Sequence, residues 1–212
     1  MKWNEFLDKF ASFPVIDTDI LSAGVSDPRP FKVQLSRWVN AKKLIQAKRG
    51  LYLPAEKYRK TALYEPYLAS LLKRPSYISL EKALEYHGLI PEAVPVFTSL
   101  TTKRQGRFVS EAGTFVYRHI KKPLFWGYKS VTVNGQTGFI ASPEKALLDL
   151  FYLNGMKISQ KYLKGLRLQN VGKIDKKRLL ADAKKFKSGG ILRAAKAVEK
   201  YINSYKDEEK TL

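Results

Sequence analysis

Residues 44–54, LIQAKRGLYLP, place two short apolar runs on either side of a loop that contains a glycine. Apolar runs joined by a few residues with a glycine are typical of a β-hairpin. The expected loop, residues 47–50, carries two adjacent cations, Lys48 and Arg49. Cations at this position keep an exposed hairpin soluble, and they are also suited to contact phosphate groups. The residues before and after the hairpin are needed to decide between these two interpretations.

The residues before the hairpin predict three helices. Residues 3–10 have apolar side chains at helical spacing. Asp17 or Thr18 is expected to cap a short second helix through Leu21, which Gly24 ends. A third helix is expected over residues 30–44, because proline is accepted in the first turn of a helix.

The predicted third helix has two different sides. Apolar residues fall on one side, and polar or charged residues fall on the other. Three helices followed by a hairpin are typical of a winged helix-turn-helix, in which the third helix reads the major groove and the hairpin is the wing. The same unit also occurs as a protein–protein module. The candidate DNA-binding residues are Arg29, Lys32, Gln34, Ser36, Arg37, Lys42, Lys43, Lys48 and Arg49.

The charge of the chain favours a polyanionic partner. Among 212 residues, 39 are Lys or Arg and 19 are Asp or Glu, so the formal net charge is +20. A charge of this size favours binding to nucleic acid or to an acidic protein. Residues 157–212 hold 16 cations and 6 anions, and a set of solvated helix faces explains them as well as a binding surface does.

The sequence also narrows the compartment and the metal chemistry. There is no cysteine, which excludes disulfides and thiolate metal sites. No apolar run is long enough to cross a bilayer, and the first residues do not resemble a signal peptide. We therefore expect a cytoplasmic protein without membrane contact.

A second domain is expected over residues 63–212, after a winged-helix domain at residues 1–57 and a connector. Helices are predicted over residues 64–72 and, with Ser79 as N-cap, up to Gly88. Strands are predicted within residues 96–102, 107–120 and 128–141, with Asn134-Gly135 as a type I′ turn. Ser142-Pro143-Glu144 opens a helix that Gly155 ends. The tail is predicted to be helical and Lys-rich, with a disordered end at residues 206–212. The fold class is therefore mixed α/β.

Candidate catalytic groups are few. Asp17 and Asp19 form a carboxylate pair but lack a phosphate-binding turn and a third carboxylate, so a helix cap is the better interpretation. The two histidines, His87 and His119, have no metal-ligand spacing. No nucleotide-binding or hydrolase motif is present. We expect no catalytic residues, no metal and no cofactor.

A basic loop is the remaining candidate surface in the second domain. Lys103, Arg104 and Arg107 cluster around Gly106. They are suited to hold phosphate groups or an acidic partner, although a solvated loop is the alternative interpretation.

Three blocks resemble the AbiEi family of abortive-infection antitoxins. They are KRGLYLP (residues 48–54), ISLEKALEYHGLIPE (residues 78–92) and SPEKALLDLFYLNG (residues 142–155). The resemblance implies a two-domain, non-enzymatic protein whose winged helix binds operator DNA and represses its own operon. It implies that Arg29, Lys32, Ser36 and Arg37 lie in the recognition-helix region and that Lys48 and Arg49 form the wing tip.

The resemblance also implies a functional partner. Family members neutralise a nucleotidyltransferase-fold toxin in type IV toxin–antitoxin systems, with or without direct contact. Double-stranded operator DNA is the other expected partner, bound by a monomer or a dimer. Two further readings stay open: a winged-helix regulator whose second domain senses something other than a toxin, and an RNA-processing protein that uses the basic tail.

Overall fold

The computed structural model describes residues 1–21, 27–155 and 158–209 of the chain. The N-terminal part contains three helices and a small sheet, as follows: α1 (Trp3–Phe10), β1 (Ile16–Asp17), α2 (Thr18–Leu21), α3 (Arg29–Asn40), β2 (Leu44–Lys48) and β3 (Leu51–Pro54). The strands are antiparallel in the order β1-β3-β2. The predicted hairpin is therefore confirmed, but its loop is shorter than the expected residues 47–50, because Ala47 and Lys48 belong to β2. Strand β1 was not predicted, since two residues are too few to show an alternating pattern. The expected helix stop at Gly24 lies outside the described residues.

Helix α3 ends four residues before the predicted end. Lys42 has a left-handed backbone with φ of 53°, and its N–H donates to the Val39 carbonyl at 2.9 Å. The N–H of Lys43 donates to the Trp38 carbonyl at 2.9 Å. These two bonds form a Schellman motif, which is usually built with glycine. Because a lysine, and not a glycine, takes the left-handed position, no residue pattern marks the helix end.

The rest of the chain forms a six-stranded mixed sheet with helices. Its strands are β4 (Ser76–Ile78), β5 (Val96–Thr101), β6 (Gly106–Ser110), β7 (Gly113–His119), β8 (Tyr128–Val133) and β9 (Gln136–Ala141). Their order is β6-β7-β5-β4-β9-β8, with β5–β7 and β4–β9 parallel and the other pairs antiparallel. The mixed α and β fold class is confirmed. The predicted turn at Asn134-Gly135 is confirmed by positive φ angles of 49° and 74°.

In the part of the chain that the structure describes, six α-helices accompany this sheet: α4 (Glu65–Leu72), α5 (Leu80–Tyr86), α6 (Pro143–Leu153), α7 (Gln160–Gly165), α8 (Lys176–Lys185) and α9 (Gly189–Glu209). The Ser142 side chain accepts a hydrogen bond from the Lys145 N–H, which confirms the predicted N-cap of α6. Helix α9 includes residues 206–209, so the prediction of disorder from residue 206 is wrong there. The backbone of the helix that begins at Gly189 continues through these charged residues. None of the described helices is long and apolar enough to cross a membrane.

The large sheet lies between two helical layers. Along β4, alternate side chains point to opposite faces: Ile78 lies near Pro66 of α4, and Tyr77 reaches Asp149 of α6. Helix α4 approaches β9 so closely that a Cβ added to Gly138 would lie 2.6 Å from the Pro66 Cβ. Helices α8 and α9 then pack on α6.

The hairpin contributes to two hydrophobic cores. Leu44 and Tyr52 pack with Phe6, Leu35 and Trp38 in the N-terminal core. The other side of the hairpin and the segment before β1 belong to the core of the large sheet, through Val15, Ile45, Ala47, Leu51 and Leu53. The predicted boundary at residues 57–63 therefore divides the sequence into two parts, but it does not divide the core, because side chains from both parts are buried in one cluster.

Candidate nucleic-acid interface and a buried lysine cluster

Helix α3 buries one side and exposes the other. Leu35 and Trp38 are buried, and the Trp38 ring lies 4.7 Å from the Phe6 ring and 5.1 Å from the Trp3 ring, between centroids. The opposite side exposes Arg29, Lys32, Ser36 and Arg37, with Gln34 half-buried at the border. The sequence predicted this division because the helix keeps its period throughout. The candidate recognition residues therefore share an exposed surface.

Two of these exposed side chains already have partners within the chain. The Arg29 guanidinium makes a two-point ion pair with Asp27, at 2.9 Å and 3.1 Å. Hydrogen bonds from Arg29 lower the pKa of the Asp27 carboxyl. The Ser36 hydroxyl donates to the Lys32 carbonyl at 3.1 Å. Exposed ion pairs contribute little stability and exchange partners readily, so Arg29 remains free to change partner.

The cations after α3 differ in their environments. Lys42 is exposed at the helix end. The Lys43 ammonium lies 5.2 Å from the centre of the Trp3 ring, a cation–π contact. Among the described residues, the side chains of Lys32, Arg37, Lys42 and Arg49 make no hydrogen bond or ion pair. Within the candidate DNA-binding set, these four cations are the ones whose side chains have no partner among the described residues and can bind an external anion.

The two adjacent cations of the hairpin, Lys48 at the end of β2 and Arg49 in the turn, differ in their partners. The Lys48 ammonium donates to the carbonyls of Leu71 and Leu72, each at 3.0 Å. These carbonyls lie at the C-terminal end of α4, where a helix leaves carbonyls unpaired and attracts cations. Burial lowers the pKa of Lys48. Arg49, in contrast, is exposed. Lys48 thus joins the hairpin to the large domain, and no local sequence pattern predicts this contact.

The basic loop between β5 and β6 lies beside the same helix end. Lys73, the residue after α4, donates from its ammonium to the Arg104 carbonyl at 2.8 Å. The Lys103 carbonyl is 3.1 Å from Nδ1 of His119. The side chains of Lys103, Arg104 and Arg107 are exposed, and strand β6 contacts β2 of the hairpin. The fold therefore brings together two basic segments that lie more than fifty residues apart.

A buried polar cluster, formed by Lys145, Asp149, Tyr77 and Ser79, was missed by the sequence analysis. Both charged side chains are 0% exposed. The Lys145 ammonium donates to Asp149 and to the Tyr77 hydroxyl, the latter at 2.9 Å. The Asp149 carboxylate also accepts from the hydroxyls of Tyr77, at 3.1 Å, and Ser79, at 2.8 Å. The carboxylate therefore accepts one hydrogen bond from within α6, from Lys145, and two from the end of β4 and the start of α5, from Tyr77 and Ser79.

This cluster corrects the predicted role of Ser79. The Ser79 side chain makes no capping bond at α5, because its hydroxyl is used by Asp149. Nearly every residue of α6 is buried, from Glu144 to Phe151. A helix buried all round must pair its charges. The signal available in the sequence was therefore an i,i+4 Lys–Asp pair within a nearly apolar helix.

Aromatic rings enclose the Lys145 ammonium. Its Nζ lies 4.9 Å from the Trp126 ring centre, 5.2 Å from Phe186 and 5.4 Å from Tyr77. Burial lowers the pKa of Lys145 and raises the pKa of Asp149, and the attraction between the two charges opposes both shifts. Burial also raises the pKa of the Tyr77 hydroxyl. Without access for a substrate, these groups act as internal cross-links between β4 and α6.

The described residues contain no group of three or more His, Asp or Glu side chains placed to hold a metal ion. No protein-family model matches this chain, and no curated protein is significantly similar to it.

Proposed function

We propose that this chain is a non-enzymatic DNA-binding repressor whose N-terminal part is a winged helix-turn-helix. The observation that carries the proposal is the exposed basic side of α3. Lys32 and Arg37 lie on it without internal partners among the described residues, and the buried side packs on α1 and the hairpin core. The major groove accepts a helix of this kind.

The proposed contacts follow from the geometry. Lys32, Gln34 and Arg37 would face base edges, Lys42 and Arg49 would contact phosphates, and Arg29 would exchange Asp27 for a phosphate. Lys48 is left out of the contact set, because its ammonium is held by the carbonyls at the end of α4. The small sheet β1-β3-β2 beside α3 supports the winged-helix interpretation.

DNA binding is tested with the segment upstream of the gene and a scrambled duplex of equal length. We expect the wild-type chain to prefer the upstream segment. Lys32→Ala/Arg37→Ala should lose that preference, and Arg37→Ala alone should lose about 1–3 kcal/mol of binding free energy if it contacts a base. Lys9→Ala removes an exposed cation from α1 and serves as the control. Equal affinity of the double variant and the wild type for the upstream segment would refute α3 as the reading helix.

We propose further that the chain is the antitoxin of a type IV toxin–antitoxin pair. Support comes from the three sequence blocks that resemble AbiEi antitoxins. The test expresses this chain from an independent promoter together with a nucleotidyltransferase-like toxin from the adjacent gene. Both the wild type and Lys32→Ala/Arg37→Ala should restore growth. If the double variant fails to restore growth while remaining folded, neutralisation depends on DNA binding and the proposed division of labour is wrong.

A further inference from the structure

A cavity of about 440 Å³ opens where strands β4 and β9 separate. In the described chain these two parallel strands have one register pair, Ile78 with Ile140. Towards their N-terminal ends the space between them is lined by residues from α4, β4, β8 and β9. Its size is that of a site for a small organic ligand. The cavity lies where Ser76 and Tyr77 of β4 pair with β5 but have no register partner in β9.

Four aromatic side chains form the walls of this cavity, Tyr67, Phe125, Tyr128 and Phe139. All four are half-buried, so each keeps a ring surface towards the open space. Tyr128 is fixed from behind by stacking on Tyr77, with ring centres 4.6 Å apart and planes 16° apart. The Phe125 ring also packs on the Tyr77 ring, with ring centres 5.1 Å apart. Rigid aromatic walls of this kind favour a flat ring, which stacks or packs edge to face.

One cation lies at the opening of the cavity. Arg74 lines it and is exposed, and its guanidinium has no hydrogen-bond or ion-pair partner among the described residues. A guanidinium matches the two oxygens of a carboxylate or phosphate. Ser70, Ser76 and Thr137 supply the aliphatic hydroxyls of the lining, and all three have internal partners. The Ser70 hydroxyl donates to the Tyr67 carbonyl, the Ser76 hydroxyl donates to the Lys73 carbonyl, and the Thr137 hydroxyl lies 2.9 Å from that of Thr132.

We infer that this cavity binds a small aromatic anion, with its ring between Tyr67, Tyr128 and Phe139 and its carboxylate or phosphate on Arg74. The inference does not depend on DNA binding or on toxin neutralisation, since none of these residues belongs to either proposal. It assigns the large domain a ligand site of its own. The apolar walls exclude a fully hydrated ligand, and Arg74 selects an anion over a neutral ring.

The test measures binding to the full chain by titration calorimetry with five probes. Salicylate and phenyl phosphate carry a ring and an anion, AMP carries a larger ring system and a phosphate, phenol is a ring without charge, and inorganic phosphate is an anion without a ring. We expect at least one ring-bearing anion to bind about tenfold or more tightly than both phenol and inorganic phosphate, as expected when a charge-assisted bond adds to ring burial. Preference for salicylate identifies a carboxylate source, and preference for phenyl phosphate or AMP identifies a phosphate source.

Three variants locate the site. Arg74→Gln, at an exposed position, should weaken the preferred anion about tenfold and leave phenol unchanged. Thr137→Phe should fill the cavity and abolish binding of every ring-bearing probe. Lys9→Gln removes an exposed cation of α1, outside the cavity, and should change nothing. The inference is overturned if no ring-bearing anion binds more tightly than phenol and phosphate, or if Arg74→Gln binds it as the wild type does. Because Arg74 is exposed, Arg74→Gln should fold as the wild type does. Its anion affinity therefore tests the inference even if Thr137→Phe does not fold.

Discussion

At the scale of the residue, Lys48 and Arg49 are neighbours with different partners. Lys48 donates to two carbonyls of α4, and Arg49 is exposed. We expect Lys48→Ala to lower the free energy of unfolding by about 1–2 kcal/mol, because two hydrogen bonds from a charged donor are lost. The salt dependence of the proposed DNA binding should stay unchanged.

Arg49→Ala should leave the free energy of unfolding within about 0.5 kcal/mol of the wild-type value. The slope of DNA affinity against salt concentration should fall by roughly one phosphate contact, because Arg49 is the residue proposed to touch a phosphate.

Urea denaturation and a salt series of DNA affinities measure these effects, with Lys9→Ala as the charge-matched control. A reduced salt slope for Lys48→Ala at unchanged stability would return Lys48 to the DNA-contact set. Local pattern predicted the hairpin that contains both cations, but not the contact of Lys48 with the end of α4. That helix end comes from residues more than twenty positions later in the sequence.

At the scale of the element, the buried cluster fixes α6 to β4. Asp149→Leu or Lys145→Met alone should destabilise the chain by about 3–5 kcal/mol, because each leaves an uncompensated buried charge. Replacing both residues, as Lys145→Met/Asp149→Leu, should recover part of that loss, because no buried charge is left. The rest of the loss remains, since the hydroxyls of Tyr77 and Ser79 lose their acceptor. Thermal and urea unfolding of the three variants measure the coupling. Additive losses in the double variant would show that the pair does not act as a unit.

The contact between α4 and β9 gives a second prediction at this scale. Gly138→Ala places a methyl group 2.6 Å from the Pro66 Cβ and 2.8 Å from the Pro66 carbonyl carbon, so helix and strand must move apart. We expect a loss of about 1–3 kcal/mol of unfolding free energy, as for other overpacked sites. Gly165→Ala in α7 is the control, since nothing lies within 4 Å of the added group. Equal stability of the two variants would mean that α4 shifts freely on the sheet.

At the scale of the whole molecule, the shared core couples the two parts of the chain. Residues Ile45, Leu51 and Leu53 of the hairpin are buried in the same cluster as the large sheet. We expect urea unfolding followed by tryptophan fluorescence, from Trp3 and Trp38 in one part and Trp126 in the other, to give one cooperative transition. A fragment of residues 63–212 should unfold at lower urea concentration, because its exposed core surface is no longer covered. Two separated transitions in the full chain would show that the parts fold independently.

Most helices and strands are predictable from local sequence pattern, and the strands that were not predicted, β1 and β4, are too short to show one. Helices α1 and α6 and the hairpins at residues 44–54 and 128–141 are carried by periodicity, a serine cap and turn residues that act within a few positions. Strand β4 was missed, since three residues contain too little alternation to register as a strand. The exposed side of α3 was predictable for the same reason as the helix itself.

Composition and local pattern account for the order of the helices and hairpins, the absence of cysteine chemistry, the excess of positive charge and the side of α3 that carries part of it. These properties depend on the residue content or on residues close together in the chain. Three other features are visible only in the folded chain. Lys48 donates to the end of α4, Lys145 and Asp149 are buried together with Tyr77 and Ser79, and β4 and β9 separate around an aromatic cavity lined by Arg74. Each of these depends on contacts between residues distant in sequence, whose partners are chosen by packing and by the need to pair buried polar groups.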